Sequence, residues 1–224
     1  MIVGRQKPFK EILRMLEPYQ RVIVAGCGGC VTVCSAGGEK EAGILGSMIK
    51  VNAAEAGRVV ETVEFTVKRQ CEPEFADELA AFIKSRGDVA AVLSIACGAG
   101  VQMTSERNEG TAVFPGLDTV FVGVADGPGK WSERCRACGR CVLHLTAGIC
   151  PVTKCSKSLF NGPCGGSSNG MCEVSEHIPC AWNQIYERLK ASGRLKLLET
   201  IQPPHDWSGG FPGGPRKIER EDLQ

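Results

Sequence analysis

Apolar positions recur along the first half of the chain with two alternating periods. Phe9, Ile12, Leu13 and Leu16 fall on one helical face and Pro18 ends the segment, so residues 7–17 predict a short amphipathic helix. The compact run Arg21-Val22-Ile23-Val24-Ala25-Gly26 predicts a buried strand. A helix over about residues 38–56 follows, with Leu45, Met48 and Ile49 on its inner face, and Val59 to Val67 then alternates with the period of a strand. Phe75, Leu79, Phe82 and Ile83 mark another amphipathic helix, and Val89 to Ala96 and Thr119 to Ala125 are two further strands.

Alternation of strand and helix predicts an α/β fold, a small doubly wound domain with a mostly parallel sheet over residues 18–128 of a domain spanning 1–128. Beyond the turn or linker Asp126-Gly127-Pro128-Gly129 the texture changes to a cysteine-rich, loop-rich stretch over 129–200. One helix is expected there, from Ala181 to Lys190, with Trp182, Ile185, Tyr186 and Leu189 on one face. Residues 201–224, rich in Pro and Gly, predict an extended tail. Trp207 and Phe211 are unusual in a flexible tail and mark it as a segment that could lie across a partner subunit.

Composition narrows the functional classes. Lys plus Arg (26) nearly cancels Asp plus Glu (25), which argues against a nucleic-acid-binding domain. The start, Met1 to Lys7, lacks an apolar signal-peptide core. The longest uncharged runs, Val22 to Gly38 and Val89 to Ser105, are broken by glycines and polar residues, so no membrane insertion is expected and a cytoplasmic location is. With 43% hydrophobic residues a core needs no disulfide support, and in a reducing compartment 13 cysteines read as metal or cluster ligands.

Those cysteines fall in two sets. Cys27 ends the first strand, Cys30 and Cys34 lie just beyond it, Cys71 follows the second strand and Cys97 the third. Ligands of doubly wound sheets bind outside the carboxyl ends of the strands, so these loops are expected to converge. Four of the five thiols would suffice for a 4Fe-4S cluster, and the fifth leaves open an iron free to take a ligand. Glycines 26, 28, 29, 37, 38, 98 and 100 would let backbone N–H groups approach cluster sulfurs. The competing readings are buried structural thiols and a phosphate-binding turn at Gly26-Cys27-Gly28-Gly29, which lacks G-x-G-x-x-G and an acidic residue at the end of the second strand.

The second set opens with Cys135-x2-Cys138-x2-Cys141 and continues through Cys150-Pro151, Cys155, Cys164, Cys172 and Cys180. Three thiolates at that spacing can hold three corners of a cubane, and a later Cys-Pro supplies a fourth ligand, often to a neighbouring cluster. Ferredoxin logic groups Cys135, Cys138, Cys141 and Cys180 on one 4Fe-4S cluster, and Cys150, Cys155, Cys164 and Cys172 on a second cluster or a zinc ion. Two clusters, or three, with or without zinc, are thus allowed. His144, His177 and His205 read as surface or packing residues, and no Ser/His/Asp arrangement, carboxylate pair or H-E-x-x-H supports catalysis by this chain alone.

The stretches Gly148-Ile149-Cys150-Pro151-Val152, Asn161-Gly162-Pro163-Cys164-Gly165-Gly166, Gly170-Met171-Cys172-Glu173-Val174 and Pro179-Cys180-Ala181-Trp182 complete a pattern. Together with Cys135-x2-Cys138-Gly139-x-Cys141, Ala25-Gly26-Cys27-Gly28-Gly29-Cys30 and Ser94-Ile95-Ala96-Cys97-Gly98, it resembles the small iron-sulfur subunit, the MetV type, of two-subunit methylenetetrahydrofolate reductases of acetogenic and related anaerobic bacteria. That resemblance implies a division of labour. A separate MetF-type barrel subunit would hold FMN or FAD and the folate. This chain would relay electrons to that flavin from ferredoxin or another redox module, for reduction of 5,10-methylene- to 5-methyltetrahydrofolate. The alternative is a subunit whose cysteines hold zinc and serve only to dock or assemble a redox complex.

Overall fold

The computed structural model describes residues 1–87, 89–210 and 215–223, and the chain divides into two compact units, Met1–Ser132 and Glu133–Gln224. In the first, the elements run β1 (Ile2–Gln6), α1 (Phe9–Leu16), β2 (Arg21–Cys27), α2 (Cys30–Val33), α3 (Glu39–Glu55), β3 (Glu61–Val67), α4 (Pro73–Arg86), β4 (Ala91–Ser94), α5 (Gly98–Arg107), β5 (Ala112–Pro115) and β6 (Leu117–Gly127), with β7 (Lys130–Cys135) carrying the chain across the division.

Four strands form an all-parallel sheet in the order β3-β2-β4-β5. Its central strand shows why the apolar run had no alternation. Val22 and Val24 pack with Ala42, Leu45 and Ile49 of α3, whereas Ile23 and Ala25 pack with Leu79 and Ile83 of α4. Helices thus cover both faces, as the doubly wound reading requires. Each fully buried Ile or Leu here contributes about 1.5–3 kcal/mol of transfer free energy. α4 begins with Pro73 in its first turn and ends at Gly87 in the left-handed region (φ +64°).

Several details depart from the sequence reading. A three-stranded sheet, β1-β6-β7, stands apart from the parallel one, and β1 pairs antiparallel with β6, Ile2 opposite Val122. The run Thr119–Ala125 is a strand as expected, but it belongs to that antiparallel sheet. The fourth parallel strand is instead the short β5, beside β4. The turn between β6 and β7 is only Pro128-Gly129, because Asp126 and Gly127, expected in the turn, still belong to β6. On α3 the inner face carries Leu45 and Ile49, while Met48 is exposed. Gly46 replaces it inside, because the Glu64 carboxylate occupies the place of a Cβ there.

The second unit contains α6 (Pro151–Lys154), the hairpin β8 (Met171–Cys172) and β9 (Ser175–Pro179), and α7 (Ala181–Ala191). Its core is small: Ile149, Cys180, Ala181, Trp182, Ile185 and Leu189, with Leu195, Leu197 and Leu198 against it. The indole N–H of Trp182 donates to the Leu159 carbonyl at 3.1 Å, and Tyr186, expected on the same face, is exposed. The tail folds back on this unit. Asn161 donates to the Gln202 carbonyl (2.9 Å) and accepts from its N–H (2.7 Å), and His205 stacks on Phe160 at 4.7 Å with Trp207 edge-on at 4.4 Å. Phe211 lies outside the described residues. No helix among the described residues is long and apolar enough to cross a membrane.

Candidate metal centres

Chain order in the parallel sheet reverses between β2 and β4, and the loops leaving those two strands begin at Cys27 and lead to Cys97. Such a switch point leaves a crevice at the carboxyl ends of the strands. Cys27 is the last residue of β2, opposite Val67 at the end of β3, and Gly28 N–H bonds the Val67 carbonyl at 2.9 Å. Cys71 follows β3 within one short loop, and Cys97 sits immediately before α5.

The Cys71 thiol also feels the charge of its neighbours. Burial pushes the Cys71 thiol up, and the negative charge of ionised Cys97 and Cys27 pushes it further. The Arg69 guanidinium, paired with Glu72, also feels Cys71 and Cys30. Cys27 ends β2, Cys71 and Cys97 lie beyond the carboxyl ends of β3 and β4, and Cys30 opens α2 just after Cys27.

The loop after β2 returns to the sheet at Gly37, whose carbonyl accepts from Cys27 N–H at 2.8 Å. A Cβ at Gly37 would fall on the Ile95 carbonyl oxygen, so the loop closes only with glycine there. Cys34 points elsewhere. Its Sγ accepts from Gly4 N–H of β1 at 3.4 Å and lies 3.5 Å from the Val31 carbonyl, buried among Val3, Val31 and Leu117.

In the second unit exposed Cys135 ends β7, and half-buried Cys138 and exposed Cys141 lie on the loop beyond it, turned by Ala137 (φ +51°) and Gly139 (φ +86°). Ala137 N–H points at Cys135 Sγ, 3.3 Å away. The tail crosses this loop: a Cβ on Gly139 would press on the Gly209 carbonyl, and Arg216 Nη1 donates to the Ala137 (3.0 Å) and Gly209 (2.7 Å) carbonyls. The Asp206 carboxyl nearby is held below its usual range by the Ser208 hydroxyl and N–H, with Arg140 adding to the effect.

A small enclosed cavity of about 20 Å³ is lined by Cys155, Cys164, Cys172 and Cys180. Cys155 ends α6, Cys180 precedes α7 and Cys172 closes β8. The cavity takes in Cys180 and not Cys150, whereas ferredoxin spacing had grouped Cys150 with this set. Cys150 instead caps the start of α6. The Cys172 thiol is drawn down by the Val174 N–H, by the Ser156 hydroxyl 3.6 Å from its sulfur, and by Lys157. N–H groups aimed at a sulfur favour the thiolate that ligates metals. Among the described residues no three His, Cys, Asp or Glu side chains are grouped so as to hold a metal ion. As donor sets, both thiol groups fit a thiolate-ligated metal group.

His144 and His177 are exposed, and His177 is 3.8 Å from Glu176. The sequence reading missed Gln70, a fully buried amide between Arg69 and Cys71 that joins three of the cysteine loops. A single glutamine after a basic pair reads as a surface loop, and nothing in the local pattern signals otherwise.

Residues 114–208 match the family described as methylene-tetrahydrofolate reductase C terminal. That stretch is similar to the C-terminal part of methylene-tetrahydrofolate reductases. The match begins in β5, passes through β6 and β7, takes in all eight cysteines of the second unit and reaches the tail at Ser208. No curated protein and no solved structure matches the chain. The match covers less than half of the chain, and residues 1–113 and 209–224 lie outside it.

Proposed function

We propose that this chain is the iron-sulfur electron-transfer subunit of a methylenetetrahydrofolate reductase. It would take electrons from ferredoxin or another redox module in the cytoplasm and pass them to the FMN or FAD of a separate barrel subunit. The observation that supports the reading most is that Cys27, Cys71 and Cys97 stand at or just beyond the carboxyl ends of three adjacent parallel strands, β2, β3 and β4, with Cys30 opening α2 just after Cys27. The match of residues 114–208 supports the choice of reductase.

On this reading Cys27, Cys30, Cys71 and Cys97 hold one 4Fe-4S cluster and Cys34 is a packing residue. Cys155, Cys164, Cys172 and Cys180 line one enclosed cavity and hold a single ion of zinc type, as four thiolates make a closed tetrahedral site. By elimination Cys150 joins Cys135, Cys138 and Cys141 on a second cubane, in keeping with the Cys-Pro of ferredoxin runs. The cubanes supply one-electron carriage when bound. The chain's own contribution is positional. Gly29 approaches the Cys27 sulfur, Cys30 opens α2 three residues after Cys27, and exposed Cys30 and Cys71 would leave the site at the surface, within reach of a partner.

The test is reduction of the partner flavin through the assembled complex. Cys71→Ser and Cys138→Ser should each abolish electron transfer while leaving the complex intact on gel filtration. Wild-type flavin reduction in either variant sinks that site's place in the relay. Wild-type rates in both leave the cysteines a docking role alone.

A further inference from the structure

We propose that Gln70 is the positioning residue of the N-terminal thiol set, tying the three strand-exit loops together so that Cys27, Cys71 and Cys97 converge; this rests on reading those thiols as cluster ligands. Gln70 is fully buried. Its Nε2 donates to the Ala25 carbonyl at 2.9 Å and to the Gly26 carbonyl at 3.0 Å. Its Oε1 accepts from the Ser94 hydroxyl at 2.6 Å and from the Thr104 hydroxyl at 3.0 Å. Both amide hydrogens and both oxygen lone pairs are used, so the amide has one orientation: two carbonyls face the nitrogen and two hydroxyls face the oxygen.

Each of the three cysteines directly follows a group in this network. Gly26, whose carbonyl Gln70 binds, precedes Cys27, and Gln70 itself precedes Cys71. Ala96, whose N–H approaches Ser94 Oγ at 3.4 Å, precedes Cys97. The fourth contact, Thr104, lies in α5, the helix that starts after Cys97. Gly100 in the first turn of α5 is shaped for the same residue, because a Cβ there would sit 3.0 Å from Gln70 Cβ and 2.7 Å from Ala96 Cβ.

Packing alone does not call for an amide at this place. A buried leucine fills similar space with no hydrogen bonds to satisfy, but it fixes no direction. Gln70 links β2, the loop after β3, β4 and α5 by directional bonds, and a fully satisfied buried network of that kind specifies a unique arrangement. Outer residues that orient ligating ones change metal-site properties about 10- to 100-fold when removed.

The experiment compares wild type, Gln70→Leu and Gln70→Glu as full chains purified without oxygen. Leucine deletes all four bonds, whereas glutamate keeps the shape and sets a carboxylate oxygen against the Ala25 and Gly26 carbonyls. The first readout needs no metal. Dibromobimane, which fluoresces only after both ends have reacted, bridges neighbouring thiols in the metal-free chain, and peptide mass mapping reports the Cys71–Cys97 bridge. Bridging in folded Gln70→Leu is expected to slow about 10-fold, and the electron paramagnetic resonance signal of the reduced, iron-loaded variant to shift from that of wild type.

Wild-type bridging and an unshifted signal in a folded variant overturn the proposal. Should both Gln70 variants fail to fold, Ser94→Ala and Thr104→Ala each remove one donor to Oε1. A several-fold slowing in both supports the proposal, and unchanged bridging in both overturns it. If the wild-type chain takes up no iron in its first unit, the cluster reading fails, while the bridging comparison in the metal-free chain still decides the role of Gln70.

Discussion

Gly4 N–H points at Cys34 Sγ across 3.4 Å, tying β1 to the loop that follows β2. That contact separates Cys34 from the other four cysteines of the first unit, because its sulfur is committed to the strand at its back. Cys34→Ser should therefore leave the iron and sulfide content of the chain unchanged and cost about 1 kcal/mol, the ordinary size of a small buried change. Metal analysis paired with a melting curve checks this. Loss of half the iron in Cys34→Ser would return Cys34 to the ligand set.

The cavity in the second unit distinguishes two cysteines that the sequence treats alike. Cys180 lines it and Cys150 does not. Zinc measured after exhaustive dialysis should fall to near zero in Cys180→Ser and stay at the wild-type value in Cys150→Ser, since leaving out one thiolate of a closed four-thiolate site removes most of its affinity. Equal zinc in the two variants would mean that the cavity is not the metal centre.

Two thiols with opposite shifts give a pH signature in the metal-free chain. Cys172 is drawn below the ordinary thiol value of about 8.5 by the Val174 N–H and its neighbours, and Cys71 is pushed above it by burial and by Cys97 and Cys27. The thiolate is the nucleophile, so at neutral pH iodoacetamide should label Cys172 well ahead of Cys71, with the gap closing as pH rises. For stability the signs run opposite ways. The contribution of Cys172 is present above the unfolded thiol value and lost as pH falls through its lowered pKa. That of Cys71 is present below the unfolded value and lost as pH rises through its raised one. Site-resolved labelling by mass spectrometry from neutral to alkaline pH measures the order directly, and Cys71 labelling first would contradict it.

Arg216 clamps the tail to the loop of the cysteine triple through the Ala137 and Gly209 carbonyls. Arg216→Ala removes both bonds and should speed alkylation of Cys138 in the metal-free chain several-fold, with little effect on global melting because the clamp lies at the surface. An unchanged Cys138 rate would show that the clamp does not shield the loop.

The fold was legible where a local pattern carries it. The alternation of periods marked β2, β3, α3 and α4, since each buries a face whose spacing is set by its own geometry. β1 and β5 were not legible, being only five and four residues long and, for β1, stabilised by pairing with a strand over a hundred residues away, Ile2 with Val122. The strand at Thr119–Ala125 was visible but its sheet was not, because pairing is a long-range property. Among site residues, the rule that parallel strands deliver their exit loops to one edge brought Cys27, Cys71 and Cys97 together. No spacing rule separates Cys34 from Cys30 or moves Cys180 beside Cys155, and Gln70 acts through bonds to groups far along the chain.

The most direct measurement is iron, acid-labile sulfide and zinc per chain, on protein purified without oxygen. Two cubanes and one four-thiolate ion predict about 8 iron, about 8 sulfide and about 1 zinc. Zinc filling the thiol sites with little iron or sulfide would contradict the electron relay and make the cysteines a scaffold for assembly.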